Sequence, residues 1–247
     1  MRLRFLYRAF RARLRDEKLE IAALRQALRK GGLGLDIGAN KGAYLYWMRR
    51  AVGPEGQVYA FEPQPSLYAY LKRIGELMSW KNVSIEPFAI TNRTGKIRLI
   101  VPAAEGKSSP GAKLQNGSAS VLEAAEEEYQ VECLAKTLDS IPFDRPVSFV
   151  KCDVEGHELQ VFQGGRNLLS KDGPALLFEC EARHLQGHTM EDVFEFLNNL
   201  GYRGFFFAGG EILPVADFDP DIHQRRNRVR YWDQKTYYNN FFFRRID

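Results

Sequence analysis

Acidic side chains recur directly after short apolar runs in this sequence of 247 residues. Such runs are typical of buried strands. The acids that follow them are Asp36, Glu62, Asp153, Glu155, Glu179 and Glu181. Ionised carboxylates are costly to bury unless they are paired or hydrogen-bonded. Because ligands bind at the carboxyl ends of strands in open α/β sheets, this placement indicates a ligand site rather than core packing.

The first of these acids opens the stretch DIGANKG, Asp36–Gly42, where a strand is expected to turn into a helix. Gly38 gives the turn backbone angles that side chains forbid and lets a ligand approach the chain closely. Gly42 opens the next helix and permits close packing of that helix on the strand. Asn40 stands where a dinucleotide site normally carries glycine, which favours a ligand without phosphates. A tight turn with no ligand is the alternative interpretation.

Glu62 ends the second apolar run, about one βαβ unit along the chain from Asp36. An acid at this position can accept hydrogen bonds from both hydroxyls of a ribose. Because NAD and adenosine-type cofactors share that ribose, Glu62 alone does not separate the two classes.

The segment KCDVEGHE, Lys151–Glu158, places ionisable side chains around a predicted turn. Carboxylates packed together raise one another's pKa, which suits general-base catalysis, so Asp153 and Glu155 are candidate bases. His157 titrates near neutrality and is the third candidate. A salt-bridged turn, in which Lys151 neutralises Asp153, is the structural alternative.

The same segment also offers ligands for a divalent cation. Asp153, Glu155 and His157 could bind such an ion together with Glu179. Their spacing does not establish a metal site, and no metal ligand is assigned.

These residues are far apart in the sequence, so strands and helices must bring them together. The hydrophobic pattern predicts those strands and helices. Apolar runs predict strands at 33–37, 58–61, 83–90, 97–101, 147–152, 175–180 and 204–207, with a closing strand in the aromatic C-terminus. Periodic segments predict helices at 43–52, 66–80, 158–169 and 190–200. Alternating strands and helices imply a mostly parallel sheet with helices on both faces, an α/β fold.

Two segments stand outside this alternation. Residues 1–30 contain a predicted basic amphipathic helix at 3–30, which we expect to pack on the body of the protein or on another subunit, with membrane-surface binding as the alternative. Its apolar stripe consists of Phe10, Leu14, Ile21, Leu24 and Leu28. Residues 102–120 have no apolar period and predict a flexible loop, either functional or simply disordered, within a single domain at 31–247.

The composition is that of an ordinary soluble globular protein, with 45% hydrophobic and 27% charged residues. Three widely spaced cysteines cannot form a complete disulfide framework, so a reducing, cytoplasmic location is expected. No apolar run reaches the ~18 residues that span a bilayer. The net charge of +4 is concentrated at the two ends, which favours a phosphate-bearing partner, an anionic inner-membrane surface or an acidic protein. A solvated helix face explains the same charge without a partner.

The ordered set of motifs resembles that of the FkbM-type S-adenosylmethionine-dependent methyltransferases. The resemblance rests on LDIGANKG, VYAFEP, PFAI, KTLDS, FVKCDVEGHE and LLFE, which appear in the order and spacing of that family over residues 33–207. It implies a class I methyltransferase fold, which is a Rossmann-like, mostly parallel seven-stranded sheet with a reversed last strand, here with an N-terminal helical extension. It also implies methyl transfer from S-adenosyl-L-methionine to oxygen, with S-adenosyl-L-homocysteine as the product.

The resemblance also implies roles for individual residues. The methionine end of the cofactor would be lined by Asp36, Gly38, Ala39, Asn40 and Gly42. Glu62 would bind the ribose hydroxyls, and Phe88 and Ala89 would lie near the adenine. Asp153 would sit beside the sulfonium and the substrate.

The resemblance therefore favours an O-methyltransferase acting on a hydroxyl of a sugar, a glycan or a glycosylated natural product. The expected partner is a small-molecule, glycan or lipid-linked sugar acceptor. Two alternatives stay open: an NAD-dependent oxidoreductase, and a non-catalytic module whose basic ends bind a membrane or a partner. Asn40, in place of the middle glycine of a dinucleotide motif, weighs against the oxidoreductase. The complete set of acids weighs against the non-catalytic module. No nucleic-acid partner is expected, while peripheral membrane contact through the basic ends and homo-oligomer formation are compatible with the sequence.

Overall fold

The computed structural model describes residues 1–102, 113–114, 128–225 and 236–246. The predicted loop at 102–120 therefore lies almost entirely outside the described residues. Cys133, Cys152 and Cys180 are all buried and free. None of the helices within the described ranges is long and apolar enough to cross a membrane.

Helices and strands alternate along the chain as the sequence predicts. The α-helices of the described residues are α1 (Arg2–Arg11), α2 (Lys18–Ala27), α3 (Ala43–Val52), α4 (Pro65–Leu77), α5 (Glu158–Gln163), α6 (Arg166–Asp172), α7 (Met190–Asn198) and α8 (Pro220–His223). The strands there are β1 (Leu33–Ile37), β2 (Gln57–Phe61), β3 (Val83–Glu86), β4 (Phe88–Ile90), β5 (Gly95–Pro102), β6 (Lys113–Leu114), β7 (Glu128–Lys136), β8 (Val147–Cys152), β9 (Ala175–Glu179), β10 (Tyr202–Ala208), β11 (Glu211–Pro214) and β12 (Asn240–Arg245).

The larger sheet has the strand order β11-β10-β12-β9-β8-β1-β2-β3. Strands β1, β2, β3, β8 and β9 are parallel, so their carboxyl ends meet at one edge. The last strand, β12, runs antiparallel between β9 and β10, as the expected fold requires. This confirms the predicted seven-stranded arrangement, to which the hairpin strand β11 adds an eighth strand at the edge.

Two apolar cores lie on the two faces of this sheet. One contains buried side chains of α5, α6 and α7, and the other contains those of α1 to α4. A smaller sheet with the order β4-β7-β5-β6 forms a third apolar cluster. The sequence predicts β5 but not its long partner β7, so the existence of this second sheet is a structural finding.

Two predicted elements are wrong, because the structure has two shorter elements in place of each. The single strand expected over 83–90 splits at Pro87 into β3 and β4, which belong to different sheets. Proline has no N–H to donate to a strand neighbour, so the chain changes sheets there. The helix expected over 158–169 splits into α5 and α6 at Gly164 and Gly165. Gly164 packs so closely on Thr91 that a Cβ atom would lie 2.1 Å from the Thr91 carbonyl oxygen.

The single N-terminal helix expected over 3–30 is also wrong. A π-helical turn, Ala12–Asp16, follows α1, and Glu17 then leaves helical geometry with φ −138° and ψ 51°. A π turn holds an extra residue, so it rotates the following helix relative to the preceding one. The predicted apolar stripe is split as a result. Its members Ile21, Leu24 and Leu28 are buried, whereas Phe10 and Leu14 are exposed.

The buried face of α1 consists of Phe5 and Ala9, which have no exposed surface. The indole nitrogen of Trp47 in α3 donates to the carbonyl oxygen of Ala9 at 2.7 Å. The N-terminal segment therefore packs on the body of the protein, as expected, although through a different set of side chains.

Candidate active site

A cavity of about 280 Å³ opens at the carboxyl edge of the parallel strands, next to the small sheet. It brings together seven of the predicted site residues, namely Gly38, Asn40, Glu62, Phe88, Ala89, Asp153 and Glu155. Its lining also contains Ile37, Phe61, Pro63, Gln64, Ile90, Leu99, Val154 and Glu179. Side chains from β1, β2, β4, β5, β8 and β9 or the turns after them thus meet in one place.

Gly38 brings the turn after β1 against the turn after β8. Its φ is 76°, and a Cβ atom there would lie 1.9 Å from the carbonyl oxygen of Asp153. Only glycine allows this contact between the two backbones. The amide nitrogens of Gly38 and Ala39 both donate to the carbonyl oxygen of Phe61, at 3.0 and 3.1 Å. The turn is therefore fixed to both neighbouring strands.

Glu62 is buried, and the main chain holds both of its carboxylate oxygens. The amide of Asn40 donates to Oε2 at 2.8 Å, and the amide of Gln64 donates to Oε1 at 2.9 Å. Asn40 reaches this position with a left-handed φ of 47°. Burial raises the pKa of Glu62 to about 7, although the two amide donors lower it. Each carboxylate oxygen has a second lone pair that can accept a hydrogen bond from a ligand hydroxyl.

Asp153 faces the cavity from the turn after β8, with 37% of its side chain exposed. The Nζ atom of Lys151 lies 3.5 Å from Oδ2 of Asp153, and the Lys151 side chain is only 3% exposed. Burial lowers the pKa of Lys151, but the surrounding carboxylates, Asp153 and Glu179 first among them, raise it above its ordinary value. Lys151 is therefore a buried cation, and the ion pair considered from the sequence is present within the cavity wall.

Glu155 occupies the tightest part of the same turn. Its φ is 53°, in the left-handed region that few residues with side chains adopt. The Oε2 atom of Glu155 pairs with Nδ1 of His184 at 2.8 Å. Gly156 follows, with so little space that a Cβ atom would lie 2.3 Å from the carbonyl oxygen of His184. Glu155 therefore lines the cavity but is held by a histidine.

Glu158, at the start of α5, stabilises this turn through its carboxylate. Its Oε1 atom accepts hydrogen bonds from the amides of Val154 and Gly156, at 3.3 and 3.2 Å. Its Oε2 atom is buried with no hydrogen-bond partner among the described residues. Burial raises the pKa of Glu158 to about 8.

His157 lies apart from Asp153 and Glu155. Its ring is buried, and Nε2 lies 2.8 Å from Oγ1 of Thr91. Burial first, and then the neighbouring His188 and Arg93, lower the pKa of His157 to about 4. His157 is not part of the cavity lining. Its contact with Thr91 instead links the turn after β8 to the end of β4.

Three other predicted cofactor residues surround the cavity without lining it. Asp36 is buried, its Oδ2 atom has no hydrogen-bond partner among the described residues, and burial raises its pKa to about 7. Ala39 is buried in the turn. Gly42 caps α3 with a φ of 74°, and a Cβ atom there would lie 2.8 Å from Cδ2 of Leu71 in α4. Gly42 thus permits close helix–helix packing, whereas the sequence predicts helix–strand packing.

Glu179 is a strand-end acid to which the sequence assigns no catalytic role, yet it lines the cavity beside Asp153. The Nδ2 atom of Asn239 donates to its Oε1 atom at 2.9 Å. Burial, and then the neighbouring Asp153 carboxylate, raise the pKa of Glu179 well above its ordinary value. Leu99 also lines the cavity, but no pattern marks it because the small sheet is not predicted.

A second groove, of about 590 Å³, lies at the same edge of the sheet. Its walls are the turn between α1 and α2, the end of β10 with the following glycines, and the segment before β12. They include Arg15, Lys18, Glu20, Phe207, Tyr237, Tyr238, Asn239 and Asn240. Because Asn239 lines this groove and bonds to Glu179 in the cavity, the two spaces adjoin.

Glu17 extends from the N-terminal segment towards Lys151. Its Oε2 atom and the neighbouring Tyr44 hydroxyl are both buried without a regular hydrogen-bond partner among the described residues. Nζ of Lys151 lies 5.0 Å from the centre of the Tyr44 ring. Burial raises the pKa of Glu17, while the neighbouring Tyr44 hydroxyl and then the Lys151 charge oppose that shift. The N-terminal segment thus contributes a carboxylate to the surroundings of Lys151, which the sequence does not reveal.

The acids of the cavity are not arranged as metal ligands. Within the described residues, no three side chains of His, Cys, Asp or Glu are grouped so that they could hold a metal ion.

The strand order, the reversed β12 and the acid-lined cavity at the carboxyl edge define the class I methyltransferase fold. The Methyltransferase FkbM domain matches residues 36–203. The chain belongs to this family.

Two known proteins illustrate the likeness. Methyltransferase 1 of Beauveria bassiana (strain ARSEF 2860) is 28% identical over 142 residues, which are 53% of this chain and 57% of that protein. The crystal structure of Methyltransferase FkbM from Methylobacillus flagellatus KT superposes with a TM-score of 0.53 at 14% identity, over 96% of this chain and 53% of that chain. This chain thus spans a little over half the length of each, and the structural match supports the fold alone.

Proposed function

We propose that this chain is an S-adenosylmethionine-dependent O-methyltransferase acting on a hydroxyl of a sugar, a glycan or a glycosylated natural product. The observation that carries the proposal is the cavity in which Glu62 and Asp153 are brought together across the Gly38 turn. Family membership independently favours a methyltransferase.

The cavity residues fit an adenosyl cofactor. Glu62 has free lone pairs on both oxygens for the two ribose hydroxyls. Phe88, Ala89 and Leu99 supply apolar surface for a base. Asp153 places a carboxylate where a sulfonium requires negative charge. The cofactor supplies the electrophilic methyl group.

A dinucleotide fits less well. Such cofactors rest their pyrophosphate on a helix N-terminus. Here the first residues of α3 and its cap Gly42 do not line the cavity. Glu62, the proposed ribose partner after β2, is therefore not accompanied by a phosphate site at this helix, which disfavours the NAD-dependent alternative.

Asp153 is the proposed general base. A hydroxyl is a weak nucleophile, so a carboxylate within hydrogen-bond reach must accept its proton during attack. The partial exposure of Asp153 lets that proton pass to solvent, and the Lys151 ammonium lies 3.5 Å from the same carboxylate. Glu155 is the second candidate, although its pairing with His184 leaves it less available.

The second groove is the proposed acceptor site. It adjoins the cavity at Glu179 and combines the aromatic rings of Tyr237, Tyr238 and Phe207 with two asparagine side chains. Aromatic faces and amide groups are the usual surfaces against which sugar rings pack and form hydrogen bonds. This supports a carbohydrate acceptor over a purely apolar one.

The experiment has two parts. Calorimetry with S-adenosylhomocysteine should give micromolar affinity, and NAD⁺ should not bind. Transfer of labelled methyl groups to a panel of methyl glycosides should then give a product whose label resists mild base, as an ether does. Binding of NAD⁺ in place of S-adenosylhomocysteine, or a labelled product formed only with amine acceptors, would refute the proposal.

A further inference from the structure

The outer face of α1 carries a row of exposed apolar side chains. Leu3 is 82% exposed, Tyr7 65%, Phe10 42% and Leu14 64%. Their spacing of four, three and four residues places them on one side of the helix and its π turn. Single exposed apolar residues need no explanation, but a continuous row marks an interaction surface.

In this row, the Leu3–Leu14 stripe, Leu3, Tyr7 and Leu14 are mostly exposed, while the partly exposed Phe10 also packs on the Trp47 ring with centroids 5.2 Å apart. The opposite side of the helix bears Phe5, Ala9 and Ala12, all of which are buried. Because that side is packed on the body and tied by the Trp47–Ala9 hydrogen bond, the helix cannot roll to bury the stripe. The stripe is therefore presented on the surface of the folded chain.

Arginines border the stripe on both sides. At about 100° per residue, Arg4 and Arg11 lie on one side of the stripe and Arg2 lies on the other. All three are exposed. The acids nearest in sequence are Asp16 and Glu17, of which Asp16 pairs with Arg11 and Glu17 is turned inward. The border of the stripe is thus basic at Arg2 and Arg4, in its first turn.

We infer that the Leu3–Leu14 stripe binds the surface of an anionic membrane. An apolar face bordered by arginines lies in the plane of the lipid interface, where its side chains enter the acyl region and its cations meet anionic headgroups. A second copy of the chain fits less well, because pairing two such faces would bring arginines against arginines. This inference concerns binding of the protein to a membrane and does not depend on the proposed methyl transfer.

Sedimentation with lipid vesicles tests this surface. The full chain should bind vesicles containing about 30% phosphatidylglycerol and bind pure phosphatidylcholine vesicles at least tenfold more weakly. The double substitution Leu3→Gln with Leu14→Gln leaves the charge unchanged and should weaken binding about tenfold or more. Arg2→Gln with Arg4→Gln should weaken it as well, and added salt should reduce the remaining binding.

The matched control is Ile212→Gln with Ile222→Gln, which removes two exposed apolar residues that are not part of the stripe. This control should bind vesicles as the unchanged chain does. The inference is overturned if the unchanged chain ignores anionic vesicles, or if the stripe variant and the control bind equally. It is also overturned if light scattering finds a dimer that only the stripe variant dissociates.

Discussion

The Lys151 ammonium lies 3.5 Å from the Asp153 carboxylate, with its own side chain almost wholly buried. The carboxylates of Glu179, Glu17 and Asp36 also act on this cation. They come from β9, the N-terminal segment and β1. One buried lysine therefore attracts acids from the N-terminal segment, from two strands of the sheet and from the turn after β8.

Replacing this cation should be costly for the fold. Lys151→Met leaves the surrounding carboxylates buried without their counter-ion, and we expect a loss of about 3 kcal/mol in the free energy of unfolding at neutral pH. Urea denaturation measures it, with Lys96→Met as the control for an exposed ion pair. Equal losses for the two variants would contradict the central role of Lys151.

Asp153→Asn should separate catalysis from cofactor binding. Loss of the base should lower kcat about 100-fold or more, while the affinity for S-adenosylhomocysteine should change only severalfold. Glu155→Gln is the matched control and should retain most of the activity, because Glu155 is engaged by His184. If the control loses more activity than Asp153→Asn does, the assignment of the base is wrong.

Cofactor binding should depend on pH through Glu62. The folded pKa of about 7 means that this carboxyl is protonated below neutrality, where it can no longer accept two ribose hydrogen bonds. We expect the affinity for S-adenosylhomocysteine to fall by about fivefold to tenfold between pH 8 and pH 6. Calorimetry across this range measures the change. A steep pH dependence that persists in Glu62→Gln would assign the effect to another group.

Glu158 should make the unliganded protein less stable as the pH rises. Its folded pKa of about 8 lies above the ordinary 4.5, so the folded state keeps a proton that the unfolded state releases between these values. Stability should therefore fall with rising pH in this window, by at most about 1.4 kcal/mol per pH unit for one group.

The substitution Glu158→Gln tests this dependence. The amide oxygen can still accept from Val154 and Gly156, but the group no longer titrates. Urea denaturation should give a flatter dependence of stability on pH than in the unchanged chain. Glu76→Gln, at an exposed ion pair, should leave the dependence as it was. An unchanged slope in Glu158→Gln would show that other buried acids dominate.

Seven strands of the larger sheet could be predicted because apolar runs mark them, and glycines mark the turns after β1 and β8. The acids could be predicted as a set because parallel strands bring their carboxyl ends to one edge. The family resemblance supplied the reversed β12, which no local pattern encodes. The division of two elements was missed. Pro87 separates β3 from β4 because it has no N–H to donate, and Gly164 separates α5 from α6 where it packs closely on Thr91.

The remaining misses share one physical cause, which is that they depend on contacts distant in sequence. Leu99 reaches the cavity only because β5 pairs with β7 in a second sheet. Glu17 reaches Lys151 only because a π turn redirects the chain after α1. His157 titrates near neutrality in isolation, but its burial against Thr91 could not be foreseen from its place beside two acids.

The second groove has a consequence for how the two ligands would be recognised. The described residues that line it come from the N-terminal segment, from the end of β10 and from the segment before β12. All of them lie outside residues 36–203, which the family domain matches. On the proposed function, the acceptor would therefore be recognised by residues outside that domain, while Glu62 inside it holds the cofactor.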